Sequence, residues 1–414
     1  MTKIGTCVIV GASHAGVNAA FALRKEGWEG EITLVDIDPM LPYHRPPLSK
    51  ALLSNEEPIE KYCLKSADSY TGENIYLKLG YKVEAIDRKQ QSVSLVGGEL
   101  LPYKKLILAT GARALVPPIE GIETSTNLYF LRTASDALHI RERLQHSPQK
   151  RVVVIGGGYI GLEVAASLRK LDVEVTVLER EDRLMARVTA PELSDYFQGL
   201  HEENGGKICT GKTVTKIEPL GNGSKVICAD GSSFLADIVV VGVGILVNTE
   251  LAEQAGLEIE DGIKVDATAR TSDAHIYAIG DCSFHYNPHY NQYIRLESVQ
   301  NAVDQAKVAA AAICGKDVTY DAIPWFWSDQ YDVKLQMVGL SQGYDEALVR
   351  RESNNHKAFS IWYFKEGNLL AVDAVNNARA YMMGTKIIER NKRIDKSKLI
   401  DPEVELRPAN FLSA

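Results

Sequence analysis

Three glycines near the middle of the chain have the spacing of a dinucleotide-binding turn. Gly156, Gly158 and Gly161 follow an apolar run at residues 152–155, which predicts a buried strand, and they open a predicted helix that runs to about Lys170. In such a turn the first glycine allows a sharp bend, the second lets the backbone approach a pyrophosphate, and the third lets helix and strand pack closely. The helix N-terminus then presents N–H groups and the positive end of its dipole to the phosphates. We therefore predict a dinucleotide site at this turn.

The next predicted strand, residues 175–178, ends at Glu179, and this carboxylate indicates which nucleotide binds. A carboxylate at that point accepts hydrogen bonds from the ribose 2′-hydroxyl and repels a 2′-phosphate, which favours NADH over NADPH. The neighbouring Arg180 has the opposite tendency, because a guanidinium attracts a 2′-phosphate. The sequence favours NADH and leaves the strictness of that preference open.

The same unit occurs at the start of the chain, with one departure from the pattern. An apolar run at residues 7–10 precedes Gly11, Ser13 and Gly16, and Asp36 ends the predicted strand that follows. Ser13 occupies the position of the second glycine, where a small side chain is tolerated only if the backbone does not need a positive φ. Because the acidic residue is placed as in the other unit, we predict a second dinucleotide site.

Two further apolar runs, residues 106–111 and 238–244, each end in glycine and close the two units. They predict buried parallel strands whose carboxyl ends meet a cofactor. After about residue 324 the pattern changes to that of a separate α+β domain. Four strand-like segments and a terminal helix follow there, with the strands at residues 334–340, 347–349, 358–364 and 369–375.

The composition excludes several classes of protein. The 414 residues are 45% hydrophobic and 24% charged, as in globular proteins, and the formal net charge of −8 disfavours a nucleic-acid-binding role. The sequence has no apolar run near the roughly 20 residues that span a bilayer, and no apolar signal segment. The six cysteines include no C-x-x-C pair, which is typical of unpaired thiols in a reducing compartment. We therefore expect a cytoplasmic protein without membrane or nucleic-acid partners.

Cys282, His285 and His289 lie close together in the sequence and raise the question of a metal site. Zinc sites of this kind bring a second close pair of Cys or His residues, and none is evident in the sequence. The residues between the two histidines, Tyr-Asn-Pro, have the composition of a loop. We therefore predict no metal ion.

Seven blocks of sequence, in order over nearly the whole chain, resemble the ferredoxin reductases of bacterial oxygenase systems. The blocks are residues 11–16, 43–50, 109–113, 156–163, 279–281, 295–300 and 324–330. The resemblance implies an α/β fold with two Rossmann-like nucleotide-binding domains, as in glutathione reductase, and a C-terminal α+β domain. It implies a discontinuous FAD-binding domain at residues 1–116 and 247–323, an NADH-binding domain at 117–246, and the C-terminal domain at 324–414.

By this resemblance the first unit binds FAD non-covalently. Asp36 is expected to hold the adenosine ribose and Val83 to meet the adenine. Asp281 is expected at the ribityl chain, Val299 at the pyrimidine edge of the flavin, and Trp327 against the isoalloxazine. The other residues that the resemblance places at FAD are Gly11, Ser13, His14, Ala15, Gly16, Arg45, Lys50, Ala109, Thr110, Gly111, Arg132, Gly280 and Ser298.

The resemblance places NADH on the second unit and two charged residues at the reaction centre. A reduced flavin is anionic, so the ammonium of Lys50 near its edge would stabilise the reduced form. A buried lysine needs a partner, and we expect Glu163 to supply it; the alternative is that the two are unrelated surface charges. The residues expected at NADH are Gly156, Gly158, Tyr159, Ile160, Gly161, Glu163, Glu179, Arg187, Val243 and Gly244.

The resemblance also implies the path of the electrons. They would pass from NADH through FAD to a [2Fe–2S] ferredoxin, bound transiently, which supplies a Rieske dioxygenase or a haem monooxygenase. A basic segment at residues 386–398 is either a solvated helix face or a docking surface for an acidic ferredoxin. We expect a monomer or a weak dimer. The sequence does not identify the ferredoxin, the oxygenase or its organic substrate.

Three alternatives share the predicted fold. A disulfide or peroxide reductase needs a redox cysteine near the flavin, and residues 41–54 contain none. A signalling or nucleic-acid-binding flavoprotein, of the apoptosis-inducing type, is disfavoured by the negative charge. A rubredoxin reductase differs only in the electron carrier, and this alternative stays open.

Overall fold

Each of the two units into which the chain divides is built around a five-stranded parallel sheet. The first unit contains three stretches: the residues up to Arg45, Pro58–Arg113 and Ile245–Pro324. The second contains Pro46–Glu57, Ala114–Gly244 and the residues from Trp325 on. The computed structural model describes residues 5–55, 57–147, 149–353 and 355–411.

The second unit holds both the predicted NADH-binding segment and the predicted C-terminal segment, together with Pro46–Glu57. The sequence-based bounds placed this last stretch in the FAD-binding domain. Those three-domain bounds stay a prediction, and the two units are the division that the structure itself presents.

The inner strands of the parallel sheet of the first unit are apolar and buried on both faces, whereas the edge strand Ile75–Leu79 is partly exposed. Its central strand, Cys7–Val10, is completely buried, as its uninterrupted apolar sequence predicts. The strand order is Ile276–Ala278, Lys105–Leu108, Cys7–Val10, Ile32–Asp36 and Ile75–Leu79.

The parallel sheet of the second unit has the same spatial order, and four of its strands follow the same chain order; the outer strand Leu128–Phe130 precedes the central strand, whereas its counterpart Ile276–Ala278 comes last in the first sheet. Its central strand, Arg151–Ile155, lies between the strand that ends near the acidic residue and the strand that closes the unit. The strand order is Leu128–Phe130, Ile238–Val241, Arg151–Ile155, Glu174–Leu178 and Lys207–Cys209. The internal repeat predicted from the sequence is therefore a repeat of topology in these four strands.

Short sheets, antiparallel except for the parallel pair Ile263–Val265 with Ser283–Asn287, complete both units. Each has a three-stranded meander before its closing strand: Val83–Asp87, Ser92–Leu95 and Leu100–Pro102 in the first, and Val214–Leu220, Gly223–Cys228 and Ser233–Ala236 in the second. The remaining short strands are Ala112–Ala114 with Ile245–Val247, and Ile263–Val265 with Ser283–Asn287 and Gln292–Ile294.

The helices cover the sheets and supply the turns that end them. The α-helices of the first unit are His14–Lys25, Ala67–Gly72, Glu250–Gln254 and Val299–Ile313. Those of the second are Ala51–Ser54, Ala134–Gln145, Tyr159–Arg169, Pro191–Glu203, Ala378–Arg390, Lys396–Ile400 and Pro408–Phe411. Three 3₁₀ turns lie at Pro46–Ser49, Ile59–Tyr62 and Gly280–Cys282.

The C-terminal part of the second unit is a five-stranded antiparallel sheet with one strand more than the sequence predicted. The unpredicted strand, Trp325–Gln330, carries aromatic residues that are partly exposed, whereas Ser328 and Gln330 are buried. In most strands the apolar side chains are the buried ones and the polar side chains are exposed. Because this strand has the opposite pattern, hydrophobic alternation does not reveal it. The strand order is Trp325–Gln330, Val333–Gly339, Asn368–Val375, Asn355–Lys365 and Glu346–Glu352.

A buried carboxylate joins this antiparallel sheet to the segment before the helix Pro191–Glu203. Asp373, 4% exposed, accepts hydrogen bonds from the Tyr363 hydroxyl at 2.6 Å and the Thr189 hydroxyl at 2.9 Å. The Tyr363 oxygen in turn accepts the N–H of Ala190 at 3.1 Å. Burial raises the pKa of Asp373 from 3.8 to about 6, because desolvation outweighs the two donors.

We predict that this carboxylate makes the stability of the protein depend on pH. Its folded-state pKa is raised, so the folded protein holds the proton more tightly and loses stability as pH rises from about 4 to about 6. Asp373→Asn keeps an acceptor for both hydroxyls without the charge. Relative to this variant, the parent should become less stable over that range by about 3 kcal/mol in free energy of unfolding.

The measurement is chemical or thermal unfolding of both proteins at a series of pH values. Asp172→Asn, which removes the charge of an exposed aspartate of the same unit, serves as the control and should show no such divergence. A difference between parent and Asp373→Asn that does not vary with pH would contradict the prediction.

Candidate functional site

The two glycine turns have the same backbone geometry. We call residues 11–16 the first glycine loop and residues 156–161 the second. Gly11 and Gly156 have φ angles of +106° and +110°, which side-chain-bearing residues rarely adopt. A Cβ on Gly16 would lie 1.8 Å from the Gly11 carbonyl oxygen, and one on Gly161 would lie 2.1 Å from that of Gly156. Each loop therefore turns tightly onto the N-terminus of its helix.

Ser13, which stands where the pattern has its second glycine, meets the condition stated from the sequence: its backbone does not need a positive φ. Ser13 has φ −98° and ψ −158°, and Gly158, at the same place in the second loop, has φ −83° and ψ −179°. Both residues are extended, so neither needs glycine for its backbone angle. A Cβ on Gly158 would meet no atom within 4 Å, which leaves open space over this part of the second loop.

The acidic residue that follows each glycine loop is held against it. Asp36 accepts the N–H of Ala12, and Glu179 accepts the N–H of Gly157 at 2.6 Å. The second oxygen of Glu179 accepts the N–H of Glu181 at 2.8 Å. Each carboxylate is thus fixed beside its loop, and carboxylate oxygens have further lone pairs to accept a ribose hydroxyl.

The helix that follows each loop has an N-terminus suited to a phosphate. His14–Lys25 and Tyr159–Arg169 begin after Ser13 and Gly158, and neither of these residues caps its helix with a side-chain hydrogen bond. First-turn N–H groups without a side-chain cap, together with the helix dipole, favour an anion. The residues of both loops therefore fit a bound pyrophosphate.

The segment after Glu179 packs onto the second glycine loop, which the sequence did not predict. The N–H of Met185 donates to the Gly157 carbonyl at 3.0 Å, and the side chain of Leu184 lies close over Gly157. Arg183 holds this segment together with hydrogen bonds to the carbonyls of Thr189 and Ala186. The sequence gives no signal for these contacts, because each of them involves backbone groups, which every residue has.

The two arginines that bear on nucleotide preference are differently placed. Arg180 is exposed and paired with Glu181 at 2.7 Å, so its charge is partly compensated beside Glu179. Arg187, predicted at NADH, is exposed. The carboxylate of Glu179 is the charge that lies directly against the loop, which supports a preference for NADH.

Residues 43–45 line the first glycine loop. Arg45 donates from Nε to the Ser13 hydroxyl at 3.2 Å and from a terminal nitrogen to the Tyr43 hydroxyl at 3.1 Å. The imidazole of His14 lies 3.3 Å from that of His44, measured between ring nitrogens. The structure therefore brings Arg45 against Ser13 of this loop and His44 against His14 of the loop, and the contact of Arg45 and His14 with FAD stays a prediction.

Two residues that the sequence did not single out, Asn248 and Gln305, hold Thr110 and Gly280, which the resemblance places at FAD. Asn248 donates to the Thr110 carbonyl at 2.9 Å, and Thr110 donates from its hydroxyl to the Asn248 carbonyl at 2.8 Å. Gln305 accepts the N–H of Gly280, which has φ +76°, at 2.8 Å. Amides of this kind are common throughout the sequence, so their type alone gave no signal.

The remaining predicted site residues lie at the following places. In the first unit, Ala109 and Gly111 follow the closing strand, and Val83, itself buried, begins a mostly exposed strand. Asp281 lies in a 3₁₀ turn, and Ser298 caps the helix that Val299 begins. In the second unit, Ile160 lies in the first turn of its helix, Val243 and Gly244 follow the closing strand, and Tyr159 donates to the Met337 sulfur at 2.9 Å.

Three residues expected at FAD belong to the second unit rather than the first: Lys50, Arg132 and Trp327. Arg132 precedes the helix Ala134–Gln145, and the ring of Trp327 lies tilted near those of Trp325 and Phe326, at centroid distances of 5.5 Å and 6.2 Å. Their contact with FAD stays a prediction.

Lys50 and Glu163 form the ion pair that the sequence predicted. Lys50 Nζ lies 2.6 Å from Glu163 Oε2, and the two side chains are 20% and 1% exposed. Ser49 donates to the same carboxylate oxygen at 2.5 Å, and Ser328 donates to the other at 2.7 Å. Three donors surround a carboxylate on the helix that opens at the second glycine loop, so its negative charge is compensated inside the protein.

All six cysteines are free, and the environment of most of them opposes redox chemistry. The thiolate is the reactive form, and burial raises the thiol pKa of Cys7, Cys63, Cys228, Cys282 and Cys314. None of the six lies in the stretch from residue 41 to 54 that carries Lys50.

The histidines near Cys282 make protein contacts. His285 is 2% exposed, receives a hydrogen bond from Gln305 and is held neutral by burial, which lowers its pKa to about 4. The Nε2 of His289 lies 2.7 Å from the Asp321 carbonyl oxygen. Across the described residues, the structure has no cluster of three or more potential metal ligands.

Among the described residues, no helix combines the length and the apolar character that crossing a membrane requires.

Two glycine loops with their carboxylates, and a buried lysine–glutamate pair, define a two-nucleotide oxidoreductase of the glutathione-reductase fold. The chain belongs to the pyridine nucleotide-disulphide oxidoreductase family, which matches residues 5–306, and residues 325–410 match the reductase C-terminal family. The predicted family and fold class are thereby confirmed. Membership implies FAD and NADH as cofactors.

Relatives with known roles cover nearly the whole chain. Putidaredoxin reductase of Pseudomonas putida is 43% identical over 405 residues, which are 97% of this chain and 95% of the relative. Rubredoxin–NAD⁺ reductase of Pseudomonas putida is 39% identical over 370 residues, 89% of this chain and 95% of the relative. The crystal structure of a covalent putidaredoxin reductase–putidaredoxin complex matches with a TM-score of 0.92 and 42% identity, covering 98% of this chain and 97% of that one.

We predict that the charge of Glu179 sets the preference for NADH. Glu179→Gln keeps an acceptor toward the glycine loop and removes the repulsion of a 2′-phosphate. The ratio of kcat/KM for NADH to that for NADPH should therefore fall about tenfold or more, mainly because NADPH improves.

Steady-state rates with both nucleotides measure this ratio. Glu174→Gln makes the same change at the exposed beginning of the same strand and should leave the ratio unaltered. A parent enzyme that prefers NADPH would refute the assignment of Glu179.

Proposed function

We propose that this protein is the cytoplasmic NADH-dependent reductase of an oxygenase system and that it reduces a [2Fe–2S] ferredoxin. The observation that carries the proposal is the 43% identity to putidaredoxin reductase over 97% of the chain, which includes the C-terminal sheet. The solved structure that matches with a TM-score of 0.92 contains putidaredoxin reductase covalently joined to putidaredoxin. The ferredoxin would supply a Rieske dioxygenase or a haem monooxygenase.

In this proposal each of the two glycine loops binds one nucleotide. The first loop, with Asp36 and Arg45, would hold FAD, and the second loop, with Glu179, would hold NADH. When bound, FAD takes up two electrons from NADH and can release them one at a time. The chain itself contributes binding, orientation and charge.

Lys50 contributes a positive charge in a fixed position. Its ammonium is fixed at 2.6 Å from Glu163, so its position is set by a buried carboxylate instead of by solvent. A fixed positive charge stabilises the negative charge that develops when an electron pair arrives. The catalytic role of both residues is part of the proposal.

The cysteines favour a one-electron acceptor over a disulfide. A disulfide reductase passes its electrons through a reactive thiolate, whereas burial opposes thiolate formation at five cysteines of this chain. Free cysteines also fit a reducing compartment, which supports the cytoplasm.

The second candidate is a rubredoxin reductase, which the 39% identity to such an enzyme supports. A protein with this function would use the same two nucleotide sites and differ in the acceptor. The stronger identity to putidaredoxin reductase, over a larger share of the chain, favours the ferredoxin.

The test compares acceptors for the purified protein with NADH as donor. We expect yellow protein that releases FAD on heat denaturation, and faster reduction of a [2Fe–2S] ferredoxin than of rubredoxin at equal concentration. Ferricyanide reduction checks the flavin independently of the carrier. Faster reduction of rubredoxin would establish the second candidate, and protein that cannot be loaded with FAD would contradict both.

We further predict that the basic segment at residues 386–398 helps the ferredoxin to dock. The segment ends one helix and begins another, and two of its lysines are paired, Lys396 with Glu346 and Lys398 with Asp395. Lys392 and Arg393 are exposed between the helices. Long-range attraction between two acidic proteins is poor, and at physiological salt electrostatic guidance reaches only about 8 Å, so a local basic patch is what steers docking.

Reversing both charges, Lys392→Glu with Arg393→Glu, should raise the KM for ferredoxin and weaken its salt dependence, while ferricyanide reduction changes little. Reversing the exposed Lys82 and Lys89 of the first unit is the control for net charge. Ferredoxin kinetics indifferent to the first pair of changes would show that the segment is a solvated helix end.

A further inference from the structure

A line of hydrogen-bonded side chains leads away from Glu163 through the interior of the second unit. Ser328 donates to Glu163 Oε1 at 2.7 Å, and Gln330 Nε2 donates to the Ser328 oxygen at 3.2 Å. His201 Nε2 lies 2.9 Å from Gln330 Oε1, and the Tyr331 hydroxyl lies 3.3 Å from His201 Nδ1. The line joins the helix of the second glycine loop to the strand Trp325–Gln330 and the helix Pro191–Glu203.

Four members of this line are among the most buried polar side chains of the protein. Glu163 and Gln330 are 1% exposed, and Ser328 and His201 are 0% exposed. Burying a polar group costs several kcal/mol unless it is hydrogen-bonded, and an apolar contact between strand and helix would serve packing equally well. Packing alone therefore does not account for this line of buried polar side chains.

The protons along the line all point toward Glu163. Burial lowers the pKa of His201 and raises that of Tyr331 to about 12, so the imidazole is neutral and the phenol keeps its proton. A neutral imidazole has one donor and one acceptor nitrogen. With Nδ1 accepting from Tyr331, Nε2 donates to Gln330 Oε1, and the Gln330 amide then has only its NH₂ to offer Ser328.

The orientation of Gln330 matters because the Ser328 hydroxyl rotates freely. Since its oxygen accepts from the amide, its own proton is directed to Glu163 Oε1. If the amide were reversed, Gln330 Oε1 would attract that proton, and Glu163 Oε1 would lose the donor that the structure gives it. Leaving one oxygen of a buried carboxylate without a donor lowers the stability of the fold. The Glu163 carboxylate, which holds Lys50, would also no longer be fixed in its orientation.

The same geometry argues against a path for protons. A proton crossing Gln330 would convert its amide to an unstable imidic acid, so the line is interrupted there as a conduit. What remains is an effect on position and charge: His201 fixes Gln330, Gln330 fixes the Ser328 proton, and that proton fixes Glu163.

We propose that Ser328, Gln330 and His201 are positioning residues, which hold the Glu163 carboxylate and through it the Lys50 ammonium in the geometry that reduction by NADH requires. The inference rests on the proposed function for the role of the Lys50–Glu163 pair. Side chains that lie far from the pair in the sequence would then determine its position.

The first experiment measures NADH-dependent ferricyanide reduction. Ser328→Ala should lower kcat about tenfold with little change in KM for NADH or in FAD content, because a hydrogen bond to a charged group is lost. Ser328→Thr, which keeps the hydroxyl, should restore most of the rate. Ser360→Ala is the matched control: it deletes an equally buried hydroxyl of the same sheet, which accepts from Trp362, and should behave as the parent.

The second experiment tests the line itself. His201→Phe removes the donor to Gln330 and should lower kcat about threefold. Because His201 acts through Ser328, the double variant should be no slower than Ser328→Ala alone. If His201→Phe does not retain FAD, Gln330→Met, which deletes the amide, takes its place in the same cycle.

A third readout does not depend on activity. Ser328→Ala removes a hydrogen bond to a charged carboxylate, whereas Ser360→Ala removes one between two neutral groups. Because hydrogen bonds to charged groups contribute more, Ser328→Ala should lose more free energy of unfolding than Ser360→Ala, and Ser328→Thr should recover most of that loss. Unfolding of the three variants as holoprotein under one buffer condition measures the difference.

The outcomes separate this inference from the proposed function. Ser328→Ala kinetics equal to those of Ser360→Ala, or effects of Ser328 and His201 that simply add, overturn the inference even if Glu163→Gln is slow. A Glu163→Gln variant as fast as the parent overturns the role of the pair and the inference with it. Failure to reduce ferredoxin, with the ferricyanide pattern intact, overturns only the choice of acceptor.

Discussion

The second unit depends on the neutralisation of one carboxylate. Glu163 lies on the helix of a glycine loop with 1% of its side chain exposed, and an isolated charge there would cost several kcal/mol. Two other stretches of chain remove that cost: one supplies Ser49 and Lys50, and the C-terminal sheet supplies Ser328. The short stretch around Lys50 therefore belongs with the second unit, although it lies between two stretches of the first.

The two glycine loops share one backbone geometry although their sequences differ. The constraints that make glycine necessary, a positive φ at the start and close contact at the end, are present in both loops. The middle position carries neither constraint, which is why Ser13 is accepted where the second loop has Gly158. Each carboxylate behind a loop also accepts a backbone N–H from it, so an acidic residue there has a structural as well as a ligand-binding reason.

Much of this could be predicted from the sequence, because its signals were local. Uninterrupted apolar runs predicted the parallel strands, and glycines at fixed spacing predicted the loops between them. The ion pair of Lys50 and Glu163 came from the resemblance to a known family and is present. The strand Trp325–Gln330 escaped prediction because its polar residues are the buried ones, and the line from Ser328 to His201 joins residues whose types are common and whose separation in sequence is large.

The hydrogen bond between Ser328 and Glu163 spans 165 residues, and this has a consequence for biosynthesis. Chains emerge from the ribosome at about 5–20 residues per second, so Glu163 waits roughly 10–30 s for this donor. The sheet of the first unit is likewise incomplete until Ile276–Ala278 has been made. Neither unit reaches its native contacts while most of the chain is being translated, so the nascent protein spends that interval with apolar strands uncovered, and chaperones that bind such strands have their longest opportunity here.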